Sequence, residues 1–178
     1  MQTGAFPLGF KRAAAMVVLH HGDYFLLLKR RKPPYVGHYL PVGGKLEPHE
    51  DPYSAARREL LEETGIADAR IRYGGVLIET SPTDYNWQSS IYIAEIDFVE
   101  PPHCPEGELE WIAFDRLPHI PTPPTDWMVY QYLVAGKPFA FNAVYDEKMQ
   151  LCSFIEEIEG ISCLPDSLAA VAGADGNR

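Results

Sequence analysis

Gly44-Lys45-Leu46-Glu47-Pro48-His49-Glu50-Asp51-Pro52-Tyr53-Ser54-Ala55-Ala56-Arg57-Arg58-Glu59-Leu60-Leu61-Glu62-Glu63-Thr64-Gly65-Ile66 is the stretch on which the reading of this 178-residue chain turns. Asp51 followed by Pro52 reads as a helix start, because Asp accepts from orphan N–H groups and Pro suits the first helical position. Gly65 reads as the stop. Between them Glu59, Glu62 and Glu63 stand at i, i+3 and i+4 and project from one helix face. Tyr53, Ala56, Leu60 and Thr64 recur on another, which can bury against a sheet. Like charges at this spacing cost a few tenths of a kcal/mol per pair. A hard cation with oxygen ligands offsets that cost. Arg58 and Glu50 are spaced to pair with each other and to orient the cluster. An isolated run of glutamates is more often a solvated helix face.

The whole pattern resembles the Nudix box, G-x5-E-x7-R-E-U-x-E-E-x-G-U with U apolar, and matches it at every fixed position. Its fixed residue types and apolar positions arise by chance in a chain this long on the order of once in a million times or less. The resemblance implies an α/β (α+β) domain, the Nudix fold: an α/β/α sandwich with a mixed sheet and a loop-helix-loop catalytic unit. It also implies hydrolysis of a nucleoside diphosphate linked to another group, with Mg²⁺ required and Mn²⁺ able to substitute. Glu59, Glu62 and Glu63 are then the metal ligands, with the backbone carbonyl of Gly43 as a further candidate. Gly43 and Gly44 let the chain turn closely against metal and phosphate. Glu62, Glu63 and Arg58 are expected to take part in catalysis, and Glu50 and Gly65 to hold the box together.

The general base is left between Glu63 and a loop glutamate, with Glu106, Glu108 and Glu110 as loop candidates. Arg30, Gly44 and Lys45 are candidates for holding phosphate, Arg30 because its fork matches phosphate geometry. None of the histidines, His20, His21 and His49 among them, has metal-ligand spacing with another.

Features beyond the box resemble the MutT-type branch, which clears oxidised purine nucleotides. They are Leu26 to Pro34, then Gly37-His38-Tyr39, and Pro124-Thr125-Asp126-Trp127 followed by Tyr132 to Phe139. Asp126 matches an aspartate that meets the purine edge in such enzymes. Two departures stand out. Leu40 occupies a position where an asparagine often reads the purine. Pro123 replaces a stacking aromatic, although Trp127 lies close by. Loss of a polar reader relaxes selectivity. Pro82, some fifteen residues past the box, keeps an ADP-ribose or nucleotide-sugar reading open. A third reading is a binding module that senses a nucleotide without cleaving it. Such modules tend to lose box carboxylates, and here all are present.

Composition is consistent with these readings. The chain is 46% apolar and long enough for one core. Its formal net charge of −10 argues against a nucleic-acid polymer as partner but not against a nucleotide brought in with metal. Cys104, Cys152 and Cys163 fit no metal or redox spacing, so reduced thiols are expected. No signal segment or membrane span is visible, and a cytoplasmic location follows by default. A homodimer is left open.

A single domain is expected over residues 12–158, with an irregular lead-in at 1–11 and a partly frayed tail at 159–178. Within it, Ala13 to His20 and Tyr24 to Arg30 read as a hairpin, Lys32 to His38 as a loop, and Tyr39 to Val42 as a short strand disturbed by Pro41. Arg70 to Glu79 and Trp87 to Phe98 are expected strands, joined by a loop at Thr80 to Asn86. Glu100 to Gly107 is expected as a loop and Glu110 to Phe114 as a short strand, with a helical turn at Asp115 to Leu117. Asp126 to Ala135 reads as a helix with Thr125 as cap and Gly136 as stop. Phe139 to Tyr145 and Met149 to Ile155 read as a closing hairpin.

Overall fold

Strand β1 (Arg12–His21) organises the molecule, because two partners share one of its edges. In the computed structural model, which describes Pro7 and residues 9–164, its last residues pair antiparallel with β2 (Tyr24–Arg30), from Leu19↔Leu26 to His21↔Tyr24. Its first residues pair instead with β4 (Val42–Lys45), from Ala14↔Lys45 to Val17↔Val42. Strand β2 bends away and takes β3 (Tyr39–Leu40) in the space β1 has left. The expected strand at Tyr39 to Val42 is thus two short strands, broken at Pro41, which has no N–H to give to a ladder. A fork opens in the sheet at this point.

The remaining strands extend the sheet both ways. On the other edge of β1 runs β6 (Trp87–Glu95), parallel to it, then β5 (Arg72–Thr80), antiparallel to β6. Beyond β5 come β9 (Phe139–Tyr145), β10 (Leu151–Glu156) and β11 (Ile161–Ser162). On the far side of β2 lie β8 (Gly107–Ala113) and β7 (His103–Cys104). Among the described residues the strand order is β11-β10-β9-β5-β6-β1-β2-β8-β7, a mixed sheet with parallel pairs at β1/β6 and β5/β9.

Both faces of this sheet are buried, as its runs of apolar residues require. Alternate residues of β1 and β2 divide between two cores. Ala15, Val17, Leu19, Leu26 and Leu28 face helix α1 (Pro52–Thr64), where Ala55, Ala56 and Leu60 cover them. Val18, Phe25 and Leu27 face helix α2 (Asp126–Val134) through Val129, Tyr130 and Leu133. This is the α/β/α layering expected from the sequence.

Helix α1 begins and ends as its residues dictate. The Asp51 carboxylate accepts from the N–H groups of Tyr53 and Ser54, each at 3.0 Å, and Gly65 closes the helix at φ 72°. The buried face is rotated from the expected one: Glu63 is buried while Tyr53 is 46% exposed. Thr125 stands at the start of α2 but its side chain makes no capping bond.

The region around residue 107 needs correction. A loop was expected to Gly107, yet β7 and β8 form a hairpin there. The reason is β2, which pairs with β8 over Tyr24↔Ala113 to Arg30↔Gly107 and extends β8 back to Gly107. At the other end the sheet runs past residue 158, since β11 pairs with β10 and Cys163 and Leu164 pack on the core. Glu156 closes this region: its buried carboxylate accepts from the N–H groups of Ala140, Ile158 and Glu159. The expected frayed residues 169–178, and 1–6 and 8 of the lead-in, lie outside the described residues.

Candidate active site

The fork leads to a cavity of about 770 Å³. One end is lined by Gly43, Gly44, Lys45, Arg58, Glu59, Glu62, Glu63, Arg30 and Glu106. The other is lined by Tyr35, Glu79, Tyr85, Asp126 and Val129, with Leu40, Trp87 and Pro123 on its walls.

At the acidic end, Arg58 is the hub. Its Nε and Nη2 fork onto the two oxygens of Glu50 at 2.9 Å each, and Nη2 also reaches the Lys45 carbonyl at 3.0 Å. Its Nη1 donates to Glu59 at 2.7 Å and lies 3.4 Å from Glu62. The bond from Arg58 holds the Glu50 carboxyl below its usual range, and these acids raise the arginine's own pKa. Fork geometry ties helix α1 to strand β4 and fixes the acidic face against the glycines. Glu50 and Gly65 thus sit where a role in holding the box requires.

Glu63 differs from its neighbours. Its Oε2 accepts from the Gly43 N–H at 2.8 Å, and the side chain is buried. Burial pushes its carboxyl up to about 7, against the lowering effect of the Gly43 bond, with Glu59 and Glu106 adding repulsion. The glycines are needed for contact. A Cβ on Gly43 would lie 2.3 Å from the Ala15 carbonyl oxygen, and one on Gly44 would lie 2.4 Å from Glu59 Oε1. The Glu59 carboxylate therefore rests on bare backbone.

Glu59, Glu62, Glu63 and the Gly43 carbonyl are hard oxygen donors along one wall, a set that suits a divalent cation of the magnesium type. Among the described residues no three acidic, histidine or cysteine side chains are gathered as they stand to hold a metal. Glu59 and Glu62 lean on Arg58, and Glu63 on the Gly43 N–H. The donor chemistry fits, and side-chain rotation would bring the oxygens together.

Of the three loop glutamates considered as base, the structure brings only Glu106 to the cavity. It sits in the turn between β7 and β8, 3.7 Å from Arg30 and 3.4 Å from Lys32. Glu108 and Glu110 lie on β8 and do not line the cavity. Glu108 pairs with Arg31, and Glu110 accepts from the Tyr39 hydroxyl at 2.9 Å. Glu110 falls on the strand expected from Glu110 to Phe114, and the extension of β8 by pairing with β2 adds Glu108 to it. Arg30, at the end of β2, reaches the acidic end. The ammonium of Lys45 lies over the Trp87 ring, 5.9 Å from its centre.

The far end was read from sequence through Asp126 and through Leu40 and Pro123 on its walls. Asp126 does line the cavity, and it is buried, with the Tyr130 hydroxyl 3.4 Å from Oδ2. Burial, then the nearby charge of Glu79, raises its pKa well above the usual carboxylate range. Trp127 packs toward the core and does not line the cavity, so it does not replace the missing stacking aromatic. Pro82 is exposed and lies outside the cavity lining.

Glu79 and the tyrosines around it were not anticipated. Glu79 accepts from Tyr145 at 2.9 Å and Tyr85 at 3.1 Å, and Tyr35 lies 3.4 Å from Tyr85. Burial raises the Glu79 pKa, and the two phenol bonds oppose that rise. The one available signal was alternation along β5: Leu77 and Glu79 share a face, and a charge on a core face marks a site.

An α/β/α domain with an acidic helix beside a glycine pair, opening on a nucleotide-sized cavity, has the architecture of a phosphoanhydride hydrolase. The model of the NUDIX domain matches residues 10–133, and the chain belongs to this family. It is a Nudix hydrolase acting on nucleotides that contain a pyrophosphate linkage, and enzymes of this family generally use divalent metals. Mouse oxidized purine nucleoside triphosphate hydrolase is 24% identical over 119 residues, 66% of this chain and 76% of that protein. A MutT protein of Bacillus halodurans shares the fold at a TM-score of 0.72 and 22% identity, over 83% of this chain and 98% of its own. A MutT NUDIX hydrolase from Burkholderia pseudomallei matches at 0.62 and 26%, over 70% and 98%. Among the described residues no helix is long and apolar enough to cross a membrane.

Proposed function

We propose that the protein hydrolyses a nucleoside triphosphate, ordinary or oxidised, to the monophosphate and pyrophosphate with Mg²⁺. The observation that carries this is the single cavity joining the acidic helix to a buried polar end with aromatic walls. It spans what a nucleotide spans, with phosphates at one end and base at the other. Glu59, Glu62, Glu63 and the Gly43 carbonyl would hold the cation, which neutralises the diphosphate and activates water for attack. Arg58 fixes the carboxylates, and Arg30 and Lys45 face the phosphate oxygens. Water adds to one phosphorus, the bond to the bridging oxygen breaks, and pyrophosphate leaves. Glu63, held near neutrality, suits the role of proton acceptor better than Glu106, which is paired with Arg30 and Lys32. The complete set of box carboxylates favours catalysis over mere sensing. Three free cysteines suit a reducing, cytoplasmic setting.

Asp126 in the cavity and the mouse relative support an oxidised purine as one substrate. Leu40 on the wall offers the base no hydrogen bond, so discrimination at that position is relaxed. A panel of nucleotides with Mg²⁺, comparing the wild type with Glu62→Gln, tests the proposal. Loss of a charge contact to the transition state should slow turnover about a hundredfold or more. Unchanged turnover removes Glu62 from the ligand set. Equal kcat/KM for 8-oxo-dGTP and dGTP would leave triphosphate hydrolysis standing and end the selective reading.

A further inference from the structure

We infer that Glu79 is a further reader of the base beside Asp126, so that the inner end of the cavity recognises the lactam and amino edge of a guanine-type ring. This rests on the nucleotide reading above and narrows it.

Glu79 lies on β5, 5% exposed, and lines the cavity. Two phenols donate to it, Tyr145 to Oε1 and Tyr85 to Oε2. Two donors converging on one carboxyl favour its acceptor form. A carboxylate has about four lone-pair sites. Two are used, and those that remain suit adjacent N–H donors. A lactam N–H beside an exocyclic amino group supplies such a pair.

Asp126 is placed to complement it. Its carboxyl is less firmly held than that of Glu79: the Tyr130 hydroxyl stands 3.4 Å from Oδ2, at the long limit for a hydrogen bond. Burial first, and then the charge of Glu79, disfavour the ionised form of Asp126, and with two phenols donating to Glu79 against one distant phenol at Asp126, the neutral form falls to Asp126. A protonated carboxyl donates, and the lactam oxygen accepts. Thr125 belongs to the same group: its buried hydroxyl lies among Glu79, Asp126 and Tyr145 without a well-formed hydrogen bond to any of them.

The walls agree. Leu40 and Pro123 contribute no polar reader, so discrimination falls to the residues behind them. Tyr35 and Tyr85 supply aromatic surface in place of a ring at position 123. The edge that Glu79 and Asp126 read lies across the purine from C8, so this end treats oxidised and unoxidised guanine alike.

Binding of GMP, AMP, CMP and UMP to the full-length protein, measured by calorimetry without metal, tests this independently of turnover. The wild type should prefer GMP over AMP by tenfold or more. Glu79→Gln places an amide donor against the ring's N–H groups and should reduce that preference to threefold or less. Tyr85→Phe, which removes only the hydroxyl, should reduce it in the same direction, and it decides the matter if Glu79→Gln fails to fold. Preference within twofold of wild type in a folded variant overturns the assignment, as does a wild type that binds none of the four or prefers another base. A preference that depends on Glu79, in a protein that hydrolyses nothing, would sink the enzyme reading alone. Mg²⁺-dependent hydrolysis with an unmoved preference would sink this one alone.

Discussion

The two ends of the cavity are built by opposite means. The acidic end comes mainly from one contiguous stretch, residues 43–63, joined by Arg30 and Glu106, and is held by charge, with Arg58 bonded to Glu50 and Glu59 and lying 3.4 Å from Glu62. The inner end comes from four separate segments, at Tyr35, Glu79 to Tyr85, Asp126 and Tyr145, and is held by phenol-to-carboxyl bonds out of water. Arg58 neutralises part of the charge at the first end, and a cation can neutralise more. At the second end no cation bonds either carboxylate; Lys11 reaches Glu79 only at its backbone carbonyl, and burial raises the pKa of both carboxyls. The difference suits two tasks: an ion site needs charge and adjustable ligands, and a base site needs fixed, dry donors and acceptors.

The sharpest way to break the comparison is Gly44→Ala. The added methyl would meet the Glu59 carboxylate at 2.4 Å and displace it, because that carboxylate is the free end of a flexible side chain. Misplacing a reacting group by an ångström costs on the order of a hundredfold in rate. Steady-state kinetics should show that loss while nucleoside monophosphate affinity stays within threefold. Equal losses in both would mean that the ends are not separable.

A smaller effect is expected from pH. Glu63 has a folded-state pKa of about 7 against an ordinary 4.5. An acid whose pKa rises on folding binds more protons in the native state, so its stability contribution is present below about 4.5 and lost as pH climbs through 7. Raised values at Glu79 and Asp126 act in the same direction. Metal-free protein should lose on the order of 2 kcal/mol between pH 5 and pH 8, read by urea denaturation. Mg²⁺ at pH 8 should restore part of the loss through the acidic end alone. A flat profile would place Glu63 in water rather than in the fold.

The smallest effect belongs to Tyr145→Phe. It removes one of the two donors to Glu79 and leaves that oxygen without its bond. A cost of about 1 kcal/mol is expected in denaturation, with Mn²⁺ binding at the other end unchanged. A shift in metal affinity would show that the ends communicate.

The same contrast explains what could be read in the chain. Glu59, Glu62, Glu63 and Arg58 were legible because helix periodicity turns spacing into proximity within one element, and Gly44, on β4, through the resemblance to the Nudix box. Asp51 and Gly65 were legible because caps are local chemistry. Glu79, Tyr35, Tyr85 and Tyr145 were not. They meet only because β5 lies beside β9 and the 31–38 loop crosses toward them, and no local pattern encodes that meeting. Glu108 was misread for a related reason: a partner strand more than seventy residues away decides whether it sits on a loop or a ladder.

The divided edge of β1 has an evolutionary consequence. Because β3 grips one tine and β4 the other, residues 31–38 hang between fixed anchors. Insertions there can reshape the mouth that admits the ring while the glycine pair keeps its station against the helix. Substrate preference can thus drift across generations without disturbing the hydrolytic machinery, and variation among descendants of this gene should concentrate in that span.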